Sequence, residues 1–423
     1  VSPRGWVADW RVFGPVLIWG GLAALGLLAL AERVEAYLGI DFFWDLGVYT
    51  EAVRVHAGGG NAYGDLDGLR YVYPPIVLSA MTALGAALVP LLLGFYAAAL
   101  VLLLTAPMRK IALCLVLFAG LTFGMDDTFI RSVATGNLTL FAHIVLIWLL
   151  LVRWPAAPGP AFWITVFLLS LLKPYFLAYA AVPLLAIGMT RPLALKALII
   201  IAASLAVWAV QAWLFPERSG AFLGSLRAQV FQGDPGYVTG DVGFGLYAFA
   251  ALITPYPALA LALHTTIVGF GAGLVLVWRR STASSAETIL VAAILVAVLA
   301  NPRLKIYDAW VVQAGAIFLI ISTRSMWLQI PALLGLLLVY QSVPVPRGGD
   351  LLGPDFEIIR KFAIGHLPWI VALFVLWLAY SGAPGGTAPP QEHDRRRRFD
   401  KKEAPSESDM KSPARAREVA QET

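Results

Sequence analysis

Apolar runs long enough to cross a bilayer recur along nearly the whole chain up to Ala383, and this recurrence decides the fold class. A helix rising about 1.5 Å per residue needs roughly 20 apolar residues to traverse a ~30 Å hydrocarbon core. Inside that core every backbone N–H and C=O must find an internal partner, so such runs fold as helices. Clear candidates cover residues 13–31, 111–123, 138–151, 194–215, 257–278, 288–300, 310–322, 327–340 and 368–380. Of the 423 residues 59% are hydrophobic and only 13% charged, against about a quarter charged in soluble domains. Mean hydropathy is +0.76. A soluble enzyme is excluded. The expected architecture is an all-α polytopic membrane protein with about eleven to thirteen transmembrane helices. The membrane domain covers residues 1–383, and a tail covers 384–423.

Two regions resist simple division. Residues 74–107 exceed one untilted span, and a break at Pro90 makes them either a re-entrant or interfacial piece plus a helix, or two helices. Residues 162–188 read as a short helical hairpin broken at Lys173-Pro174, because proline ends or kinks the preceding helix and frees backbone groups that need partners.

Charge sets the expected orientation. Arg4, Arg11, Arg109, Lys110, Arg153, Arg191, Lys196, Arg279, Arg280 and Arg324 flank spans with almost no acidic company, which assigns those ends to the cytoplasm. The acids Asp41, Asp45, Glu51, Asp65, Asp67, Asp126, Asp127, Glu217, Asp234, Asp241, Asp308, Asp355 and Glu357 then fall on the outer side. Both termini come out cytoplasmic if residues 74–107 cross an odd number of times. The expected location is the inner (plasma) membrane, with an active site on the periplasmic or extracellular face. The first apolar segment, followed by Glu32-Arg33-Val34-Glu35 without a small-residue cleavage site, reads as an uncleaved anchor. Beyond Ser381 the composition turns to Gly, Pro, Ser and alternating charge, with arginines at 395–398 and Lys401-Lys402, a disordered cytoplasmic tail. That arginine run either binds anionic headgroups at about 1 kcal/mol per residue or acts as a topogenic anchor without a partner. The single cysteine, Cys114, lies in an apolar run and reads as a packing residue.

Residues 41–75 form a polar, Gly-rich stretch between apolar regions, a large first outer loop lying in water against the bilayer. It carries Asp41, Asp45, Glu51, Asp65 and Asp67 among Phe42, Phe43, Trp44, Tyr49, Tyr63, Tyr71 and Tyr73. Aromatic faces stack on sugar rings and carboxylates accept hydroxyl hydrogen bonds, so this composition suits carbohydrate binding. It equally fits an interfacial aromatic belt with acids facing water.

The order of short motifs goes further. Asp45-Leu46-Gly47-Val48-Tyr49, then Ala57-Gly58-Gly59-Gly60-Asn61-Ala62-Tyr63, then Tyr71-Val72-Tyr73-Pro74-Pro75 resembles the first-loop signature of glycosyltransferase family 87. Gly136-Asn137-Leu138-Thr139 resembles that family's Gly-Gln-x-Asn at a helix start, without the Gln. Lys173-Pro174-Tyr175 resembles its Lys-Pro motif, and Asn301-Pro302-Arg303 with Tyr307-Asp308 occupies the place of a late outer-loop motif. The resemblance spans roughly residues 41–310. It implies a GT-C-type fold and an inverting transfer on the outer face, from a polyprenyl-phosphate-linked hexose to an acceptor hydroxyl, as in the actinobacterial α-mannosyltransferases. The sugar implied is mannose, and the acceptor a lipid or glycan. Some members carry a histidine in the late loop where this chain has Arg303, Lys305, Tyr307 and Asp308, which leaves acceptor and sugar open.

Transfer chemistry assigns roles to these residues. One carboxylate must take the proton of the acceptor hydroxyl as the anomeric bond breaks, and Asp45 is the candidate base. The departing phosphate gathers negative charge that fixed cations stabilise. Lys173, Arg303 and Lys305 are the candidates for that task, with Arg131 a further one. Asp41, Tyr49, Tyr73, Asn137, Tyr307 and Asp308 are candidate substrate contacts. No cofactor and no metal are expected: Asp65-Leu66-Asp67 has the Asp-x-Asp form of a hard-cation site but also of a polar turn. Asp126-Asp127 either orients acceptor or begins a loop. His143 and His264, inside apolar helices, read as histidines bonded to neighbouring helices, whereas His56 lies in the first loop. There is no Walker loop, no dinucleotide fingerprint and no nucleic-acid-binding surface. The competing class is a transporter or flippase for a lipid-linked saccharide, which would carry inverted repeats and midplane charges.

Overall fold

The computed structural model describes residues 44–64, 71–103, 135–227, 245–254, 256–280, 285–323, 326–342 and 353–381. The apolar runs at 13–31 and 111–123, together with Asp41, Asp65, Asp67, Cys114, Asp126, Asp127, Arg131 and the tail, lie outside the described residues. Two compact units are present, Val1–Ala379 and Tyr380–Thr423, and the second is described only at residues 380–381.

The described residues are helical, with no strand among them. In chain order the helices are α1 (Trp44–Ala57), α2 (Pro75–Leu84), α3 (Leu88–Leu103), α4 (Leu138–Leu151), α5 (Pro160–Leu172), α6 (Ala181–Ala186), α7 (Arg191–Leu214), α8 (Pro216–Arg227), α9 (Leu246–Ile253), α10 (Pro257–Arg280), α11 (Ala286–Leu299), α12 (Ile306–Ile321), α13 (Met326–Ser342) and α14 (Gly353–Ser381). Turns of 3-10 helix lie at Gly85–Ala87 and Pro174–Ala180. Three helical stretches are long and apolar enough to cross a membrane: Pro75–Ala99, Arg191–Leu214 and Pro257–Arg280. Most of their exposed side chains are apolar, Leu198, Leu205, Leu259 and Phe270 among them, with Arg191, Lys196 and Arg280 exposed towards helix ends. Such a surface suits hydrocarbon better than water, so the described residues form an all-α, membrane-associated array.

The centre is α11, whose side chains from Thr288 to Leu299 are buried except Val296. It packs on α6, α10 and α12. The helices α4, α5 and α11 have 14, 13 and 14 residues, about 20 Å each. Each has one end at the same polar cluster, marked by Asn137, Lys173 and Asn301.

Three local features differ from the sequence expectations. The polar stretch at 41–75 is not all loop, because Trp44–Ala57 is helical. Asp45 lies in its first turn, where the helix dipole favours an anion, and Glu51 pairs with Arg54 one turn apart. The helix ends where Gly58 N–H and Gly60 N–H donate to the carbonyls of Arg54 and Val55.

The second difference is in residues 74–107, where the break falls at Gly85–Ala87 rather than Pro90. Pro90 sits in the first turn of α3, where an amide N–H has no helical partner to lose. Gly85 adopts φ 53°, a conformation that costs a side-chain-bearing residue and costs glycine little. The bend brings both ends of the stretch to the first turn of α4. Tyr96 of α3 stacks on Phe141 at 4.0 Å and donates to the Gly136 carbonyl at 2.6 Å. Tyr73, just before α2, reaches Thr139 through Lys173. A straight helix would part residues 75 and 96 by about 31 Å, so they do not form one straight crossing.

Finally, α14 begins at Gly353 and carries Pro368 inside it rather than at its start. The break at Lys173-Pro174 is present as expected. Lys173 is extended (φ −144°, ψ 121°) at the end of α5, as a residue before proline prefers, and Pro174 opens the 3-10 turn.

Candidate functional site

Asp45, Tyr49 and Ala52 fall at i, i+4 and i+7, so α1 presents them on one face. Tyr49 and Ala52 are buried and Asp45 is half-buried at that face. The Asp45 carboxylate accepts a hydrogen bond from Asn137 Nδ2 at 2.5 Å. Asn137 also caps α4, its Oδ1 accepting the Thr139 N–H at 2.9 Å. One side chain therefore starts α4 and orients Asp45. It follows Gly136 at φ 64°, a left-handed residue that sets the approach to the cap.

Tyr49 and Tyr73 share a 2.8 Å hydroxyl hydrogen bond, and Tyr63 donates to the Tyr73 carbonyl at 3.1 Å. The chain then enters α2, where the buried Gln211 amide of α7 accepts the orphan N–H of Ile76 at 2.9 Å. Lys173 Nζ lies 5.0 Å from the centre of the Tyr73 ring and donates to Thr139 Oγ1 at 2.8 Å. The aromatic face and the hydroxyl together fix the position of the ammonium group.

Residues 301–308 close the opposite side. Asn301 Oδ1 accepts the Arg303 N–H at 3.0 Å, which turns the chain between α11 and α12. Asp308, 1% exposed, accepts from His143 Nε2, the Tyr175 hydroxyl, Asn301 Nδ2 and the Lys305 N–H, all at 2.9–3.0 Å. With its proton on Nε2, His143 accepts the Tyr179 hydroxyl on Nδ1 at 2.7 Å. His143 and His264 are thus each bonded to a neighbouring helical segment, His264 through the Ala300 carbonyl.

The cluster is also connected electrostatically. Burial raises the Asp45 carboxyl to about pKa 6, against the opposing pull of its Asn137 hydrogen bond and of the Lys173 and Lys305 charges. Lys173 in turn feels Asp308, Arg303 and Asp45. Asp45, Tyr49, Tyr73, Asn137, Lys173, Arg303, Lys305 and Asp308 therefore converge. Asp41 lies outside the described residues. Tyr307 is in the first turn of α12, with its side chain outside the description. His56 sits near the far end of α1 beside Arg218, away from Asp45. Among the described residues, no group of three or more His, Cys, Asp and Glu side chains could hold a metal ion.

Sequence reading did not assign site roles to Thr139, Tyr175, Tyr179 or Tyr96. Thr139 and Tyr175 lie inside the quoted motifs, whereas Tyr96 and Tyr179 carry no sequence signal. Gly245 likewise carries no sequence signal. A Cβ there would lie 2.1 Å from the Pro302 carbonyl oxygen and 3.0 Å from the Leu304 N, so the 301–305 loop takes its course only against a glycine. Gly245→Ala is expected to displace Arg303 and Lys305 and to lower any activity of the site by about tenfold with helix content unchanged. Circular dichroism and a turnover assay check this, and wild-type turnover would remove the loop from the site.

A small apolar cleft of about 50 Å³ lies between α9, α10, α11 and α14, lined by residues including Leu246, Ile267, Val275, Leu299 and Trp369. Leu246 follows Gly245, and Leu299 precedes Asn301 by two residues, so one end of the cleft abuts the cationic loop.

No family model, curated protein or solved structure matches the chain. The functional reading therefore rests on the residues themselves.

Proposed function

We propose that the protein is a membrane hexosyltransferase that moves a sugar, mannose in the first instance, from a polyprenyl-phosphate donor to a lipid or glycan hydroxyl on the outer face, with inversion. The observation that carries the reading is the pairing of one half-buried carboxylate, Asp45, with three cations, Lys173, Arg303 and Lys305, in a single cluster. A base and a phosphate-binding group are the two elements that transfer from a phosphate leaving group requires.

In this reading each has an atom-level task. Asp45 engages Asn137 through one oxygen. Its second oxygen takes the acceptor proton as the acceptor oxygen bonds to the anomeric carbon and the bond to phosphate breaks. A carboxyl titrating near 6 is ionised at neutral pH and still basic enough to accept that proton. The bond electrons leave on the phosphate, where Lys173, Arg303 and Lys305 offset the growing charge. The resemblance to glycosyltransferase family 87 points the same way, through the same motifs that carry these residues.

The deciding experiment incubates purified protein with a panel of polyprenyl-phosphate sugars and native lipid extract, with products read by mass spectrometry. Transfer of one hexose identifies class and donor together. Transbilayer movement of a lipid-linked saccharide without transfer would instead establish the flippase alternative.

A further inference from the structure

The chemistry above employs Asp45 and the cations and leaves one buried carboxylate without a task. Asp308 is 1% exposed, and its oxygens accept four hydrogen bonds from three places in the fold. His143 on α4 and Tyr175 in the 3-10 turn donate to Oδ1. Asn301 and the Lys305 N–H, both in the loop, donate to Oδ2. With both oxygens engaged and the side chain buried, Asp308 is unsuited to contact substrate, which is the task its position in the sequence had suggested. It is instead an anion set among Lys173, Arg303 and Lys305. Confined cations repel one another, and a buried charge is costly unless it is paired.

We propose that Asp308 is the internal counter-ion of the cationic half of the site and the positioning residue that holds the Arg303–Lys305 loop against the Lys173 break. It stands in for substrate phosphate while the site is empty, and His143, steadied by Tyr179, fixes its orientation. The inference deepens the transferase reading and rests on it for the meaning of the cations. The groups facing Lys173 include the Tyr73 ring, Thr139 from α4, Asp45 from α1, Arg303 from the loop and Asp308 from α12.

Asp308→Asn separates charge from shape. Its amide nitrogen can donate toward His143 and Tyr175 when the His143 proton moves to Nδ1 and Tyr179 becomes the acceptor. Its oxygen still accepts from Asn301 and the Lys305 N–H. The hydrogen bonds persist and the charge is gone.

The test is competitive labelling of the full-length protein in lipid nanodiscs with acetic anhydride across pH, with acetylation of Lys173 read by mass spectrometry and exposed Lys196 as the internal control. In Asp308→Asn the Lys173 midpoint is expected to fall by about one pH unit or more, because an anion that favoured the ammonium has been removed. The Lys196 midpoint stays in place. An unmoved Lys173 midpoint in a folded variant overturns the inference. Should Asp308→Asn fail to fold, Asp308→Ser decides: it removes the charge and keeps a hydroxyl for the loop, the Lys173 midpoint is expected to fall likewise, and an unmoved midpoint overturns the inference equally. No sugar donor enters either measurement. An inactive wild type in the transfer assay would therefore sink the proposed function, while the Lys173 midpoint would still decide the counter-ion.

Discussion

Asp45→Asn is expected to lower transfer by a hundredfold or more, the range that a positioned general base supplies, while the protein still folds and binds donor. The amide keeps the shape of the carboxylate and can still accept the Asn137 hydrogen bond through its oxygen, but it cannot take a proton. Wild-type kcat/KM should fall about tenfold per pH unit below 6, because the protonated carboxyl is no base, and should level off above about 7. An unperturbed aspartate would place that limb near pH 4, so the position of the limb reports the burial. Stability moves the other way. A raised folded-state pKa means that the ionised form is disfavoured in the fold. The penalty is absent at low pH, grows as pH rises from the unfolded value, and is fully present above 6. Asp45→Asn removes it, so thermal stability at neutral pH should not drop. A variant keeping more than about a tenth of the activity would remove Asp45 from the base role, and Asp41 would be the next residue to test.

The sequence features that proved legible are those where one residue type forces one backbone outcome. Lys173-Pro174 is such a case: proline stops α5 and holds Lys173 extended. Asn137 before an apolar run is another, since a short polar side chain there caps the helix. The helix α1 was hidden because Gly47 and polar residues weaken its local propensity. It forms because Tyr49 and Ala52 are buried against the rest of the fold. Pro90 misled for a physical reason, since the first turn of a helix accepts proline as readily as a break does. The pairing of His143 with Asp308 spans 165 residues, and neither local segment hints at the other. Gly245 is the hardest case. Its significance is the proximity of the Pro302 carbonyl, a fact of packing that no local pattern encodes.

Lys173→Met tests the cationic side, and its effect should fall on turnover. The phosphate bears more charge as the glycosidic bond breaks than it does in the bound donor, so a cation placed for the leaving group is felt most in the transition state. Removing such a fixed charge from a partly dry site is worth roughly a hundredfold or more in kcat. Acceptor KM should change by no more than about threefold, since uniform binding would appear in KM alone. Methionine keeps the length of the stem and its contact with the Tyr73 ring, so packing is largely retained. The hydrogen bond to Thr139 is lost, and Thr139→Val supplies the control, removing that bond while leaving the charge. It should cost far less than Lys173→Met. If Lys173, Arg303 and Lys305 supply the positive charge at the leaving phosphate, a divalent ion there is redundant, so activity should survive EDTA. Loss on chelation, restored by magnesium or manganese, would shift the burden of charge stabilisation from these cations to a metal. It would make Asp65, Asp67 and the Asp126-Asp127 pair the side chains to mutate next. A Lys173→Met variant altered only in acceptor affinity would place Lys173 in acceptor recognition and leave Arg303 and Lys305 to hold the phosphate.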